Sequence, residues 1–201
     1  MLAIAGLLFV LYPALRPFSD EVTLQGAAAF ASSLWIVAHV LAMLGFVLAA
    51  LGLLGLWMLL ASTRTERLAF LALLFTWLGG GLTLPFYGAE AFGLNVVGQE
   101  ALRRGDAAIL ALASEIRGGP GLPIFVVGLL LLAVGAILTA AAIWRSRPLA
   151  RWSGVPFALG FALYLPQFFG DQPIRVAHGA LVAVGCLWIA LEMWKVPRLN
   201  G

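Results

Sequence analysis

Charged side chains are scarce in this sequence. They make up 10% of its 201 residues, while 63% are hydrophobic and the mean hydropathy is +1.03. A soluble domain carries about 25% charged residues and roughly half apolar ones, so these proportions exclude an ordinary water-soluble globule. Cysteine is nearly absent: Cys186 stands alone, which rules out an intramolecular disulfide, and its place inside an apolar run reads as a small buried hydrophobe. Histidine occurs only twice, as His39 and His178. No HExxH, CxxC, CxxCH, Gly-rich phosphate loop or Ser-His-Asp signature is present, so no motif names a reaction. The net charge of +3 is no sign of nucleic-acid binding, because the basic residues sit at the ends of apolar runs, where membrane topology accounts for them.

What is present is a set of long, continuous apolar runs. A barrel strand would be about ten residues of alternating pattern, whereas these runs suit helices in a bilayer. The fold class is therefore an all-α integral membrane protein. It forms one domain of six transmembrane helices over about 2–15, 34–60, 68–87, 122–144, 154–169 and 173–194. The first run is short for a span, which needs about 20 residues. It lacks a basic leader and a small-residue cleavage site, so it reads as a short or trimmed span rather than a signal peptide. Residues 22–33 suit a loop or surface helix, with Ser32 or Ser33 as N-cap of the next span. Residues 91–121 form the longest non-spanning part. Within them Asp106 and Gly118 bracket a short helix over about 107–117, with Ile109, Leu112, Ala113 and Ile116 on one face, lying on the membrane surface as a connector or a lid. Gly79-Gly80-Gly81 predicts either a kink or a point of close helix crossing.

The charges orient these spans. The turns after the second and fourth helices, and the tail, hold Arg64, Arg67, Arg145, Arg147, Arg151, Lys195 and Arg198 against Glu66 and Glu192. The other connections hold Arg16, Arg103, Arg104, Arg117 and Arg175, but also Asp20, Glu21, Glu100, Asp106, Glu115 and Asp171. The positive-inside rule then predicts a cell-membrane protein with both termini cytoplasmic, and Trp57, Trp144, Trp152 and Trp194 form the aromatic belt at that boundary.

The remaining polar chemistry collects at the opposite, outer end. Tyr12, Tyr87 and Tyr164 each lie near a proline and ahead of a carboxylate (Asp20, Glu90, Asp171), and the second and sixth spans both open with Ala-His. This weak repeat suggests three related hairpins. The candidate site is His39, His178 and Glu90, supported by Tyr87, Tyr164, Gln167, Asp171 and Trp35. Ionisable groups near hydrocarbon are costly and mark function by default, although wetted headgroups or helix-to-helix hydrogen bonds account for them equally well. Two imidazoles could clamp one haem b for redox or sensing. With Glu90 they could hold zinc or another transition metal, including in a metal-dependent membrane hydrolase. The competing expectation is a non-catalytic accessory or structural subunit, its glycine faces packed on a membrane partner or a second copy. Few polar groups populate the inner half, which argues against a coupled transporter.

Overall fold

The computed structural model describes residues 1–196, so Arg198 of the basic tail lies outside the described residues. Nine α-helices follow one another among these residues: α1 (Leu2–Leu15), α2 (Leu24–Ala31), α3 (Ser33–Leu60), α4 (Glu66–Gly88), α5 (Leu94–Arg104), α6 (Ala111–Gly118), α7 (Gly121–Arg145), α8 (Val155–Ala162) and α9 (Gln172–Lys195). There is no strand among the described residues. Six of the helices, α1, α3, α4, α7, α8 and α9, stand in a ring. Each packs on its neighbours in this order, and α1 closes the ring against α9. The consecutive pairs α1–α3, α4–α7 and α8–α9 each pack together, and α1 packs on α9 as well.

Four stretches are long and apolar enough to cross a membrane: Ser33–Leu60, Glu66–Arg104, Gly121–Arg145 and Gln172–Lys195. In hydrocarbon a helix is stable because every backbone group pairs within the segment. The other two ring helices are shorter. The 14 residues of α1 rise only about 21 Å, against a hydrocarbon core of about 30 Å. The single helix expected over 154–169 is broken: α8 stops at Ala162, and a 3-10 turn over Pro166–Phe169 follows. Pro166 has no N–H to donate to the carbonyl of Ala162, which removes the bond that would continue the helix.

Glycine sets the helix spacing. Gly79-Gly80-Gly81 leaves α4 unbroken, and only its first member is a contact: a Cβ on Gly79 would lie 2.7 Å from backbone atoms of Gly128 and Leu132, while one on Gly80 or Gly81 would meet nothing within 4 Å. The α4–α7 crossing is the most extensive in the ring. The faces of α3 are also filled from within the chain, Gly45 by Phe9, Gly52 by Leu2 and Gly55 by Met193. These glycines therefore give no ground for a partner.

A second, smaller layer covers one end of the ring. The sequence predicts a non-spanning connection from residue 91, but the chain stays helical. From α4 it passes through a π-turn at Ala89–Gly93 directly into α5. Leu94, Val97, Gly98 and Ala101 are buried at helical spacing and form the floor of a core with Phe30 of α2, Trp35 of α3 and Leu110 and Ala113 near α6. Gly98 admits α2 because a Cβ there would lie 2.6 Å from the Ala27 carbonyl. The helix ends at Gly105, whose φ of +66° suits a left-handed stop. Asp106 caps the next turn through Ala108 N–H, as its sequence predicts. Of the apolar face expected there, Ile109, Ala113 and Ile116 turn to the cap core, joined by Leu110, while Leu112 points outward.

Candidate functional site

The cap end of the ring is filled by aromatic rings from α1, α3 and α4 and from the turn after α8. Tyr87 and Tyr164 hydrogen-bond through their hydroxyls at 3.0 Å, and the Tyr12 ring lies 5.6 Å from that of Tyr87. All three tyrosines that the sequence sets beside prolines thus meet in one plug, with Phe9 and Phe46 below. Edge-to-face contacts of this kind prefer centroid separations of 4.5–7 Å.

His39 sits behind this plug, 1% exposed. Its Nδ1 lies 2.7 Å from the Trp35 carbonyl, which can only accept, so Nδ1 carries the proton and Nε2 is left to face the Glu90 carboxylate at 3.8 Å. Trp35 donates its indole N–H to the Glu90 carbonyl, 2.7 Å away. Glu90 lies in the π-turn, where the change of hydrogen-bond register re-aims backbone groups, and Leu94 N–H reaches Ala89 rather than Glu90.

From Glu90 a line of charges crosses the cap. Arg117 of α6 donates to both Glu90 oxygens and to Glu21. Glu21 also accepts from Arg16 at 3.0 Å. Arg16 in turn lies over the Trp35 ring, 4.4 Å from its centroid. Four elements distant in sequence are therefore tied by two carboxylates and two guanidiniums. Burial would raise the Glu21 carboxyl, but the hydrogen bond and charge of Arg117, and the neighbouring Arg16, hold it below its ordinary range. Glu21 has φ +58°, a left-handed conformation that costs a non-glycine residue roughly 1–2 kcal/mol. Such strain persists where its surroundings over-determine it and tends to collect at functional sites.

These groups line a cavity of about 470 Å³. Arg16, Glu21, Glu90, Arg117 and Arg175 line it together with Tyr12, Tyr87, Phe86, Leu122, Phe125, Leu165, Phe168 and Phe169, and the Arg175 guanidinium lies 5.8 Å from the Phe168 ring centroid. A larger groove of about 980 Å³ lies at the opposite end, among Leu2, Leu51, Met58, Leu59, Met193 and Trp194. Among the described residues no charged side chain lines that groove.

The sequence-predicted site residues fall into two groups. His39, Glu90, Trp35 and Tyr87 come together. His178 does not join them: its Nε2 donates to the Gly160 carbonyl at 2.7 Å, and its ring abuts Tyr164. That carbonyl is free because Tyr164 N–H bonds to Phe161 instead, where α8 breaks. His178 thus satisfies an orphan helix-end carbonyl. Gln167 is buried beside it, with Tyr164, around a void of only about 10 Å³. Asp171 caps α9 through Ile174 N–H. A haem clamped by both histidines, or zinc held by both and Glu90, needs two imidazoles turned to one point. Here the Tyr87–Tyr164 pair lies between the rings' environments, and no three His, Cys, Asp or Glu side chains gather to hold a metal among the described residues. The donors as arranged do not fit either group.

Arg16, Glu21, Arg117 and Arg175 enter the site without having been singled out by the sequence. They sit in turns and short helices, where their charges read as topology signals. Comparison with protein-family models, curated proteins and solved structures finds no match for the chain.

Proposed function

We propose that this is a six-crossing membrane protein, with both termini cytoplasmic, that binds an amphiphilic, lipid-like molecule at its outer face. The observation that carries the reading is a cavity whose lining mixes the charged side chains of Arg16, Glu21, Glu90, Arg117 and Arg175 with the aromatic rings of Phe86, Phe125 and Phe168. Ligand sites are mostly apolar concavities with a few convergent polar groups, and a volume of about 470 Å³ is within the usual range for a small-molecule site. A mixed lining of this kind offers partners to both ends of an amphiphile. In this reading α1 and the α8 segment complete the six crossings, with the cap outside, as the basic turns at Arg64–Arg67 and Arg145–Arg151 favour.

The deciding experiment is native mass spectrometry of the detergent-purified protein titrated with a defined diacyl lipid. One lipid per chain should be retained at low micromolar concentration, and Leu122→Trp, which adds bulk to the cavity lining, should lower retention about tenfold or more. Equal, graded uptake by both proteins would show only nonspecific adsorption and reject the reading. For topology, reporter fusions after Arg67 and Arg151 should give cytoplasmic signals and a fusion after Arg104 an external one; an external signal at Arg151 would overturn the six-crossing arrangement.

A further inference from the structure

The charges that line the cavity do not balance. Three guanidiniums (Arg16, Arg117, Arg175) face two carboxylates (Glu21, Glu90). Both carboxylates are engaged by Arg117, and Glu21 also by Arg16. Arg175 forms no ion pair with a carboxylate among the described residues. It donates only to the Phe168 and Gly170 carbonyls, at 2.7 and 2.9 Å, through Nη2 and Nε, and no hydrogen bond uses its Nη1 among the described residues. Arg16 likewise bonds to Glu21 through Nη2 alone.

The fold moreover brings these two like charges to one place. The guanidinium carbons of Arg16 and Arg175 lie 4.6 and 5.4 Å from the centroid of the same ring, Phe18, and so within roughly 10 Å of each other. Like charges held together in a half-buried site repel unless an anion joins them. Guanidiniums present forked N–H donors that suit phosphate and carboxylate oxygens, with N–H···O bonds of about 2.8 Å.

The geometry points to an anionic, phosphate-type head on the bound molecule, held by the spare donors of Arg16 and Arg175 with its apolar part along Phe125 and Phe168. This rests on the amphiphile reading above and adds the charge of the head. A phosphate ester of a lipid and free inorganic phosphate offer the same chemistry, and the test separates them.

Native mass spectrometry would compare phosphatidic acid, diacylglycerol with the same acyl chains, and inorganic phosphate, each on the wild type, Arg175→Gln and Arg175→Lys. Phosphatidic acid should bind about tenfold tighter than diacylglycerol to the wild type, in line with one or more charge-assisted hydrogen bonds. Arg175→Gln should remove most of that preference, and Arg175→Lys should restore much of it. Equal binding of the two lipids to the wild type would overturn the anionic head and leave the amphiphile reading standing. Phosphate binding that weakens in Arg175→Gln, with neither lipid retained, would support the anion site and reject the amphiphile. No binding of any of the three would reject both. The wild-type comparison decides even if Arg175→Gln fails to fold.

Discussion

Arg117→Gln should loosen the cap without unfolding the ring. In the wild type Arg117 donates to Glu90 and Glu21 at once, and it is the one cation that ties α6 to both carboxylates. Glutamine removes the charge and leaves two partly buried carboxylates facing one another. Breaking a fully buried pair costs about 3–5 kcal/mol. Arg117 is 30% exposed and Glu21 27%, so water offsets part of that loss and about 2 kcal/mol remains. The effect should be local, because the cap has its own small core around Phe30, Trp35, Leu94 and Leu110. Hydrogen exchange read by mass spectrometry should show protection in α2, α5 and α6 falling roughly thirtyfold, with the cores of α4 and α7 unchanged. Uniform loss over the whole chain, or none in the cap, would mean that Arg117 does not hold the cap.

The same variant gives an acid signature whose sign is fixed. The Glu21 carboxyl is lowered in the folded protein from an ordinary value of 4.5. Its contribution to stability is then complete above about pH 4.5 and is lost as pH falls through the lowered folded value. After correction for intrinsic exchange rates, the wild-type cap should lose protection across that acid window, and Arg117→Gln should lose less of it, having already lost the pair.

The same features explain which parts of the fold were legible in the sequence. α3, α4, α7 and α9 announce themselves because a helix in lipid must be apolar for its whole length. The break after Ala162 was not anticipated, although Pro166 supplies its cause: a proline inside an apolar run is common in membrane helices and breaks only some of them. The run from Leu94 to Arg104 carries its helical period in Leu94, Val97, Gly98 and Ala101, but charge at Glu100, Arg103 and Arg104 made it read as a connection. Its burial depends on α2, which is distant in the chain.

The site was legible in half. His39, Glu90 and Trp35 stand out because polar groups near hydrocarbon are few, and they do meet. Pairing His39 with His178 rested on a shared Ala-His context, which says where each residue enters its helix and not which way the ring turns. The Gly160 carbonyl, freed by the end of α8, captured His178. The charge line through Glu21, Glu90 and Arg117 has no sequence signature at all. Its members are 69 and 27 residues apart, and no periodicity connects a turn, a π-turn and a short surface helix.

Gly128→Leu should be a strongly damaging change in the ring. The helices α4 and α7 run antiparallel, with Thr83 opposite Gly128, Gly79 opposite Leu132 and Thr76 opposite Gly135. A Cβ on Gly128 would lie 2.6 Å from Thr83 Oγ1, 2.9 Å from the Gly79 carbonyl and 3.0 Å from Thr83 N. Two of these three atoms are backbone and cannot swing aside, and Thr83 Oγ1 is held by the Gly79 carbonyl at 2.8 Å. A leucine can therefore be housed only by parting the helices. Overpacking a tight contact costs about 1–3 kcal/mol. Lost van der Waals contact along the most extensive interface of the ring adds to this, and in lipid such contact is the main force between helices. Gly45→Leu is a milder test, since the three atoms nearest its Cβ all belong to the Phe9 ring, at 3.2–3.3 Å, a side chain rather than backbone. Gly81→Leu is the control. Its Cβ meets nothing within 4 Å, and replacing a helical glycine removes backbone freedom from the unfolded chain, so it should be neutral or slightly stabilising. The ranking Gly128→Leu, then Gly45→Leu, then Gly81→Leu should appear in thermal unfolding of the detergent-solubilised protein, the first lowering the midpoint by several degrees. If Gly128→Leu melts with Gly81→Leu, the two helices are not held by that close approach.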